Sequence, residues 1–330
     1  MVTVKIIEVI ELKKQFPLNT PILEIEMARV CAVNGISFHI DEGETLGLVG
    51  ESGSGKTTTG KLILKLIEPS SGKILFEGRD ISNIHDREFR RMRRDIQVIF
   101  QNPYASLDPK MTIGDILTQP LSIHKIISPL EYKKECVRLL NMVGLSAKDA
   151  KKFSHEFSGG QRQRIGIARA IATKPKFIVC DEPVSALDVS IQSQILNLMM
   201  ELKREFKLSY LFIAHGLNVI KHVSDRVAVM YLGKIVEIGP VDHVFSSPKH
   251  PYTKALMSAS PIPDPDVKRE RIRLKDEIPS PLNIPSGCSF HTRCQYCMDV
   301  CKYKEPQLST ENGHSVACHL FEVTLEHSQI

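Results

Sequence analysis

Gly50-Glu51-Ser52-Gly53-Ser54-Gly55-Lys56-Thr57 is the stretch on which the reading of the fold turns. It fits the spacing G-x-x-x-x-G-K-[ST], and its flanks fit as well. The apolar run ETLGLVG (44–50) leads in, and the periodic segment KTTTGKLILKLI (56–67) leads out. A strand that delivers a glycine-rich turn to a helix start is the context that gives this spacing chemical meaning. The glycines let the backbone wrap phosphate groups with its N–H groups inward, and the helix N-terminus adds partial positive charge. Lys56 would bridge the β- and γ-phosphates, and Thr57 would place its hydroxyl on Mg²⁺. Gly50, Ser52, Gly53, Ser54, Gly55 and Thr58 complete this candidate nucleotide-binding set.

Working outward, KFIVCDE (176–182) and SYLFIAH (209–215) are also short, apolar and end in polar residues. Buried parallel strands deliver chemistry at their C-terminal ends in this way. Helix-like segments such as RIGIARAIAT (164–173) lie between them, so the pattern predicts an α/β domain with helices packed on the sheet. RVAVMYLGKIVEIG (226–239) reads as a hairpin around Gly233-Lys234. Downstream of a phosphate loop, Asp181 would hold Mg²⁺, and Glu182 would polarise the attacking water beside the γ-phosphate. His215, ending the next strand, would donate a hydrogen bond to the γ-phosphate.

The chain has 330 residues, 42% hydrophobic and 25% charged, which suits a globular protein with one large and one small domain. A net charge of +5 is no basic stripe, so no nucleic-acid partner is expected. No apolar run reaches the roughly 18–20 residues that span a bilayer. MVTVKIIEVIELKK (1–14) lacks the layout of a signal peptide, which leads to the expectation of a cytoplasmic chain that reaches a membrane only by docking on other subunits. After Ser258 the composition turns to proline and charge, so the domains are expected over residues 1–258 and 259–330. Of eight cysteines, Cys31, Cys136 and Cys180 are scattered, while Cys288, Cys294, Cys297, Cys301 and Cys318 crowd the C-terminal region. In a reducing compartment such crowding points to metal ligation. Cys294, Cys297 and Cys301 match part of an iron–sulfur run with non-standard spacing, and four thiolates would equally close a zinc site.

Phe157-Ser158-Gly159-Gly160-Gln161, continued by RQRIGIARAIA, resembles the signature LSGGQ of ABC ATPases, with phenylalanine in place of leucine. With the phosphate loop, FIVCDE, Ser185-Ala186-Leu187-Asp188 and His215, the family's set is present in order. The resemblance implies a P-loop NTPase fold: a RecA-like core, an antiparallel β subdomain and an α-helical subdomain, here with a small Cys-rich extension. It implies that Ser158, Gly159, Gly160 and Gln161 contact ATP bound by an opposite subunit, and that Asp188 links the two sites. One chain carries one loop and one signature, so a second ATPase is needed. Gln101, ending QVIFQ, matches the Q-loop glutamine, which would touch Mg²⁺ or the water and report nucleotide state.

NPYASLDPKMTIGDIL (102–117), HVSDRVAVMYLGKIVE (222–237) and HPYTKAL (250–256) resemble the oligopeptide/dipeptide importer ATPases more narrowly, and the F-type subunit in particular. That implies a D-type ATPase partner, two integral-membrane permeases and an extracytoplasmic peptide-binding protein. It places the chain on the cytoplasmic face of the membrane, peripherally bound and energising peptide import. Other solutes of the same family, nickel or a short glycopeptide, and a soluble non-transport ABC ATPase are the alternatives. The family's extension, G-C-x-F-x-x-R-C…C…P-x-L…H-x-V-A-C, is associated with a [4Fe-4S] cluster. Carried over, its ligands are Cys288, Cys294, Cys301 and Cys318, with Cys297 extra and zinc the alternative metal. Two positions depart from the family: Gly216 follows His215 where aspartate is usual, and Gln15 stands where the adenine-stacking tyrosine would be. Phe16 becomes the candidate for stacking adenine.

Overall fold

A strand, a tight glycine turn and a helix open the nucleotide motif as expected: strand Thr45–Val49 is wholly buried, and a helix begins at Lys56. The computed structural model describes residues 4–17, 29–259, 272–274 and 277–322. Strands are β1 (Lys5–Pro17), β2 (Arg29–Asp41), β3 (Thr45–Val49), β4 (Ser71–Phe76), β5 (Arg79–Asp80), β6 (Ile96–Ile99), β7 (Phe177–Asp181), β8 (Ser209–Ile213), β9 (Arg226–Tyr231), β10 (Lys234–Pro240), β11 (Ser309–Glu311) and β12 (His314–Val316). Helices are α1 (Lys56–Ile63), α2 (Asp86–Met92), α3 (Pro103–Ser106), α4 (Ile113–Ile123), α5 (Tyr132–Met142), α6 (Gly159–Ile171), α7 (Val189–Phe206), α8 (Leu217–Val223), α9 (Val241–Ser246) and α10 (Pro251–Ala259). The described residues fall into two compact units. One is drawn from Met1–Ile7, His39–Thr45 and Leu75–Ala214, the other from Glu8–Phe38, Leu46–Ile74 and His215–Ile330.

In the first unit β6, β7 and β8 pair in parallel, with Val98 opposite Val179 and Asp181 opposite Ile213. All residues of β8 and the first four of β7 are buried. Each fully buried Leu, Ile, Val or Phe there contributes about 1.5–3 kcal/mol, which explains their continuous apolar runs. Helices α4, α5 and α6 pack together on the buried faces of Ile116, Leu117, Leu139, Leu140 and Ile165. Helix α7 packs on α6.

In the second unit β3 pairs with β9 in parallel, and β9 and β10 form an antiparallel hairpin. Its turn is Leu232-Gly233, one residue earlier than the sequence suggested. Both residues have positive φ (43° and 79°), the geometry that matches the twist of a two-residue hairpin. Helix α1 is shorter than its periodicity, because Lys65 turns left-handed at φ 49° and ends it. Strand β12 adds to β10 antiparallel, Glu237 opposite Val316, and β11 adds to β12. The C-terminal segment thus extends the sheet that carries the hairpin. PIPDPD (261–266) and most of the charged run after it lie outside the described residues.

Candidate functional site

The phosphate loop sits in the second unit, between β3 and α1. Gly50 (φ 155°) lies so close to the backbone that a Cβ there would meet the Met230 carbonyl oxygen at 2.1 Å. At Gly55 (φ 103°) a Cβ would meet the Ala32 carbonyl oxygen at 2.2 Å. Both positions therefore demand glycine for space as well as conformation. The Gly233 N–H donates to the Ser54 carbonyl (2.9 Å), tying the loop to the hairpin turn. Lys56 is buried, and its Nζ donates to the carbonyls of Gly50 (2.8 Å) and Glu51 (2.9 Å) and to Ser54 Oγ (3.4 Å). The ammonium thus lies inside the curl of the loop. Ser52 and Gly53 are exposed at its tip, and Thr57 and Thr58 are half-buried in the first turn of α1. Phe16, the penultimate residue of β1, has an exposed ring, over which Lys14 Nζ lies 5.0 Å from the centroid.

The first unit holds the acids and the signature. Asp181 closes β7, and Glu182 follows, buried, with a left-handed backbone (φ 48°). Its N–H donates to the Ile213 carbonyl (3.0 Å), so β8 holds it in a conformation that costs a non-glycine residue about 1–2 kcal/mol. The Gln101 Nε2 donates to Glu182 Oε2 at 2.7 Å, joining two residues separated by 81 positions. Ser158 caps α6 in a reciprocal box: its Oγ accepts from the Gln161 N–H, while Gln161 Oε1 accepts from the Ser158 N–H. The first-turn N–H groups of Gly159 and Gly160 stand at a helix N-terminus, where an anion is favoured. Asp188 is the N-cap residue of α7, yet its exposed side chain makes no cap hydrogen bond. His215 is exposed in the second unit, two residues past β8.

The cysteines separate into two kinds. Cys288, Cys294, Cys301 and Cys318 line one small pocket with Phe290 and His319, whereas Cys297 is exposed and outside it. Burial, reinforced by the neighbouring cysteines, pushes the Cys288 thiol up to about 12 and the Cys294 thiol up to about 11. Both ring nitrogens of His319 are engaged, by Glu322 and by the Lys304 carbonyl, so the thiols are the pocket's available soft ligands. Among the described residues, no group of three or more His, Cys, Asp or Glu converges as a single-ion site. The four thiols share a pocket, but among the described residues they do not form a group placed to hold a metal ion.

Comparison with known proteins decides the family. A model described as "ABC transporter" matches residues 33–185, and one described as "Oligopeptide/dipeptide transporter, C-terminal region" matches residues 236–301. The chain is 49% identical to the oligopeptide transport ATP-binding protein AppF of Bacillus subtilis, over 96% of this chain and 97% of that one. The chain belongs to the oligopeptide/dipeptide ABC transporter ATPases. It is also 52% identical to a putative peptide import ATP-binding protein of Brucella ovis, over 87% of this chain and 90% of that one. Among solved structures, a dimeric post-hydrolysis state of the cassette MJ0796 bound to ADP and Pi superposes with a TM-score of 0.63. It is 27% identical, covering 71% of this chain and 98% of that one. Clostridium perfringens cbiO1, part of an ABC transporter complex, gives a TM-score of 0.64 at 26% identity, covering 74% and 91%.

As an ABC ATPase the chain has the mixed α/β cassette fold expected from its sequence, and it binds and hydrolyses ATP. No helix among the described residues is long and apolar enough to cross a membrane. The family departures have local consequences. Phe157 is buried, so the phenylalanine keeps the apolar character of leucine. Gly216 leaves α8 without a side-chain cap. Two residues with loop contacts escaped the sequence reading. Tyr252 accepts the Glu51 N–H (2.9 Å), and Arg293 pairs with the Glu51 carboxylate. HPYTKAL and G-C-x-F-x-x-R-C were visible as family segments, but spacing alone could not place them beside the loop.

Proposed function

We propose that this chain is one of two ATPase subunits that energise import of di- or oligopeptides, docked peripherally on the cytoplasmic face of two permeases. A D-type ATPase is the partner, and an extracytoplasmic binding protein supplies the peptide. The observation that carries the reading is the match to peptide-transport ATP-binding proteins along nearly the whole chain, the cysteine-bearing region included.

The geometry supports specific roles. The loop from Gly50 to Thr58 wraps the phosphates of ATP, and Lys56 exchanges its loop carbonyls for β- and γ-phosphate oxygens. Thr57, Asp181 and Gln101 offer oxygen donors suited to Mg²⁺, which would neutralise phosphate charge. Phe16 offers its exposed face to adenine. Glu182 accepts the proton side of the attacking water; Gln101, whose amide already holds the carboxylate, keeps it oriented. His215 donates to the γ-phosphate. Ser158, Gly159, Gly160 and Gln161 present the α6 N-terminus to ATP held by the partner, and the uncommitted Asp188 carboxylate couples the two sites. Cys288, Cys294, Cys301 and Cys318 would hold a [4Fe-4S] cluster, supplying a rigid thiolate-bound core rather than redox catalysis.

Glu182→Gln in the transporter assembled with its partner should retain ATP binding, lose nearly all hydrolysis and trap the ATPase pair closed. Normal turnover by that variant would remove Glu182 from the mechanism. Anaerobic purification with metal and sulfide analysis tests the cluster. Broad absorbance near ~400 nm with about four irons and four sulfides per chain is expected for a thiolate-held cluster, and a colourless protein with one zinc would overturn it.

A further inference from the structure

We propose that Arg293 is a positioning residue for ATP binding: by pairing with Glu51 it cancels a negative charge inside the phosphate loop and fixes the loop's second residue. The inference rests on the reading that Gly50–Thr58 holds the phosphates of ATP.

Glu51 is an unfavourable side chain for its place. A carboxylate one residue after Gly50, in a loop meant to receive a triphosphate, repels its ligand unless it is neutralised. Arg293 supplies the neutralisation in a two-pronged pair, Nη1 to Oε2 at 2.8 Å and Nη2 to Oε1 at 3.3 Å, across 242 positions of sequence. The arginine is 7% exposed and its Nε has no hydrogen-bond partner, so its hydrogen bonding is directed at Glu51 at the cost of a buried orphan donor. Glu51 is pinned at its other groups as well. Its N–H donates to Tyr252 Oη, and its carbonyl accepts from Lys56 Nζ. The platform behind Arg293 is firm: Phe290 packs on Tyr231, Tyr252 and His250, and the Cys288 N–H donates to the Cys301 carbonyl at 2.8 Å. Cys288 and Cys294 of the cysteine pocket flank Arg293 in sequence, so the pocket belongs to the support of this arginine.

The test uses the full chain, with ATP affinity measured by a fluorescent nucleotide and KM and kcat measured in the assembled transporter. Arg293→Met should weaken ATP binding about ten-fold through the uncancelled charge, raise KM more than it lowers kcat and leave the thermal midpoint near that of the parent. Arg293→Lys, which keeps charge but not the two-pronged geometry, should fall between. Glu51→Gln added to Arg293→Met should restore affinity to within about three-fold, because the repelling charge is gone. The loss in Arg293→Met should also shrink in high salt. Arg293→Met binding like the parent, or a double variant as weak as the single one, would overturn the inference. Lys56→Ala separates this from the underlying reading. If Lys56→Ala binds ATP as the parent does, the loop reading falls and the inference with it; if Lys56→Ala abolishes binding while Arg293→Met does not alter it, only the inference falls.

Discussion

At Gly160 a missing side chain is a packing requirement. A Cβ there would stand 2.6 Å from Ile191 Cγ2, on the face where α6 meets α7. Isoleucine is stiff at this branch, so the helices must part to admit a methyl group. Gly160→Ala should lower stability by about 1–3 kcal/mol, measured as a shift in the urea midpoint. At Gly159 the nearest atom, Leu187 Cδ2, would be 3.5 Å from the added carbon, so Gly159→Ala should fold as well as the parent. Equal stability of the two variants would refute the packing argument. The neighbouring acid makes a different point. That Glu182 terminates an apolar strand was readable from FIVCDE, because burial and period are local properties. That Gln101 holds it was not, since nothing within either segment encodes a contact across 81 residues.

Among the elements, α10 has an unusual start. His250 is buried, its ring Nδ1 accepts the Tyr252 N–H at 3.1 Å, and its carbonyl accepts the Lys254 N–H. The imidazole thus caps the helix in its neutral form. Burial lowers its pKa from 6.5 to about 4, against a partial upward pull from Glu237. The sign follows: above pH 6.5 both folded and unfolded chains hold it neutral, and nothing is lost. As pH falls from 6.5 towards 4 the unfolded chain takes up a proton that the folded chain refuses, costing about 3 kcal/mol by the lower limit. His250→Asn keeps a capping acceptor and removes the titration, so its denaturation midpoint should vary less between pH 6.5 and 4.5. An unchanged slope would assign the acid sensitivity elsewhere. Strands β3, β7 and β8 and helix α6 were legible in the sequence because their hydrophobic pattern marks them. The β9–β10 turn was displaced by one residue: glycine drew the eye, while Leu232, buried and at positive φ, gave no sign of being a turn residue.

On the scale of the whole molecule, the nucleotide motifs could be read because each is a contiguous run with its chemistry written in order. The role of the C-terminal region could not, because its cysteines announce a metal before they announce an architecture. In the structure that region contributes two strands to the sheet of β9 and β10, places His314 on the fully buried Glu237 at 2.7 Å and sets Arg293 on the phosphate loop. Glu237 carries desolvation that would raise its pKa, yet His314 and the N–H groups of Lys249 and His250 hold it below the ordinary range. A cassette that ended after α10 would leave this carboxylate short of its histidine and the edge of β10 unpaired, which gives a physical reason for the extension apart from any metal.

The Arg293–Glu51 pair also sets a clock on biosynthesis. The loop is translated early, and the arginine that cancels its carboxylate follows 242 residues later. At about 5–20 residues per second a ribosome needs roughly 12–50 s to cover that distance. Throughout that interval a nascent chain exposes a phosphate loop with its charge uncorrected. On the role proposed for the pair, a product terminated before Arg293 would bind ATP more weakly than finished subunits and compete poorly with them for the nucleotide.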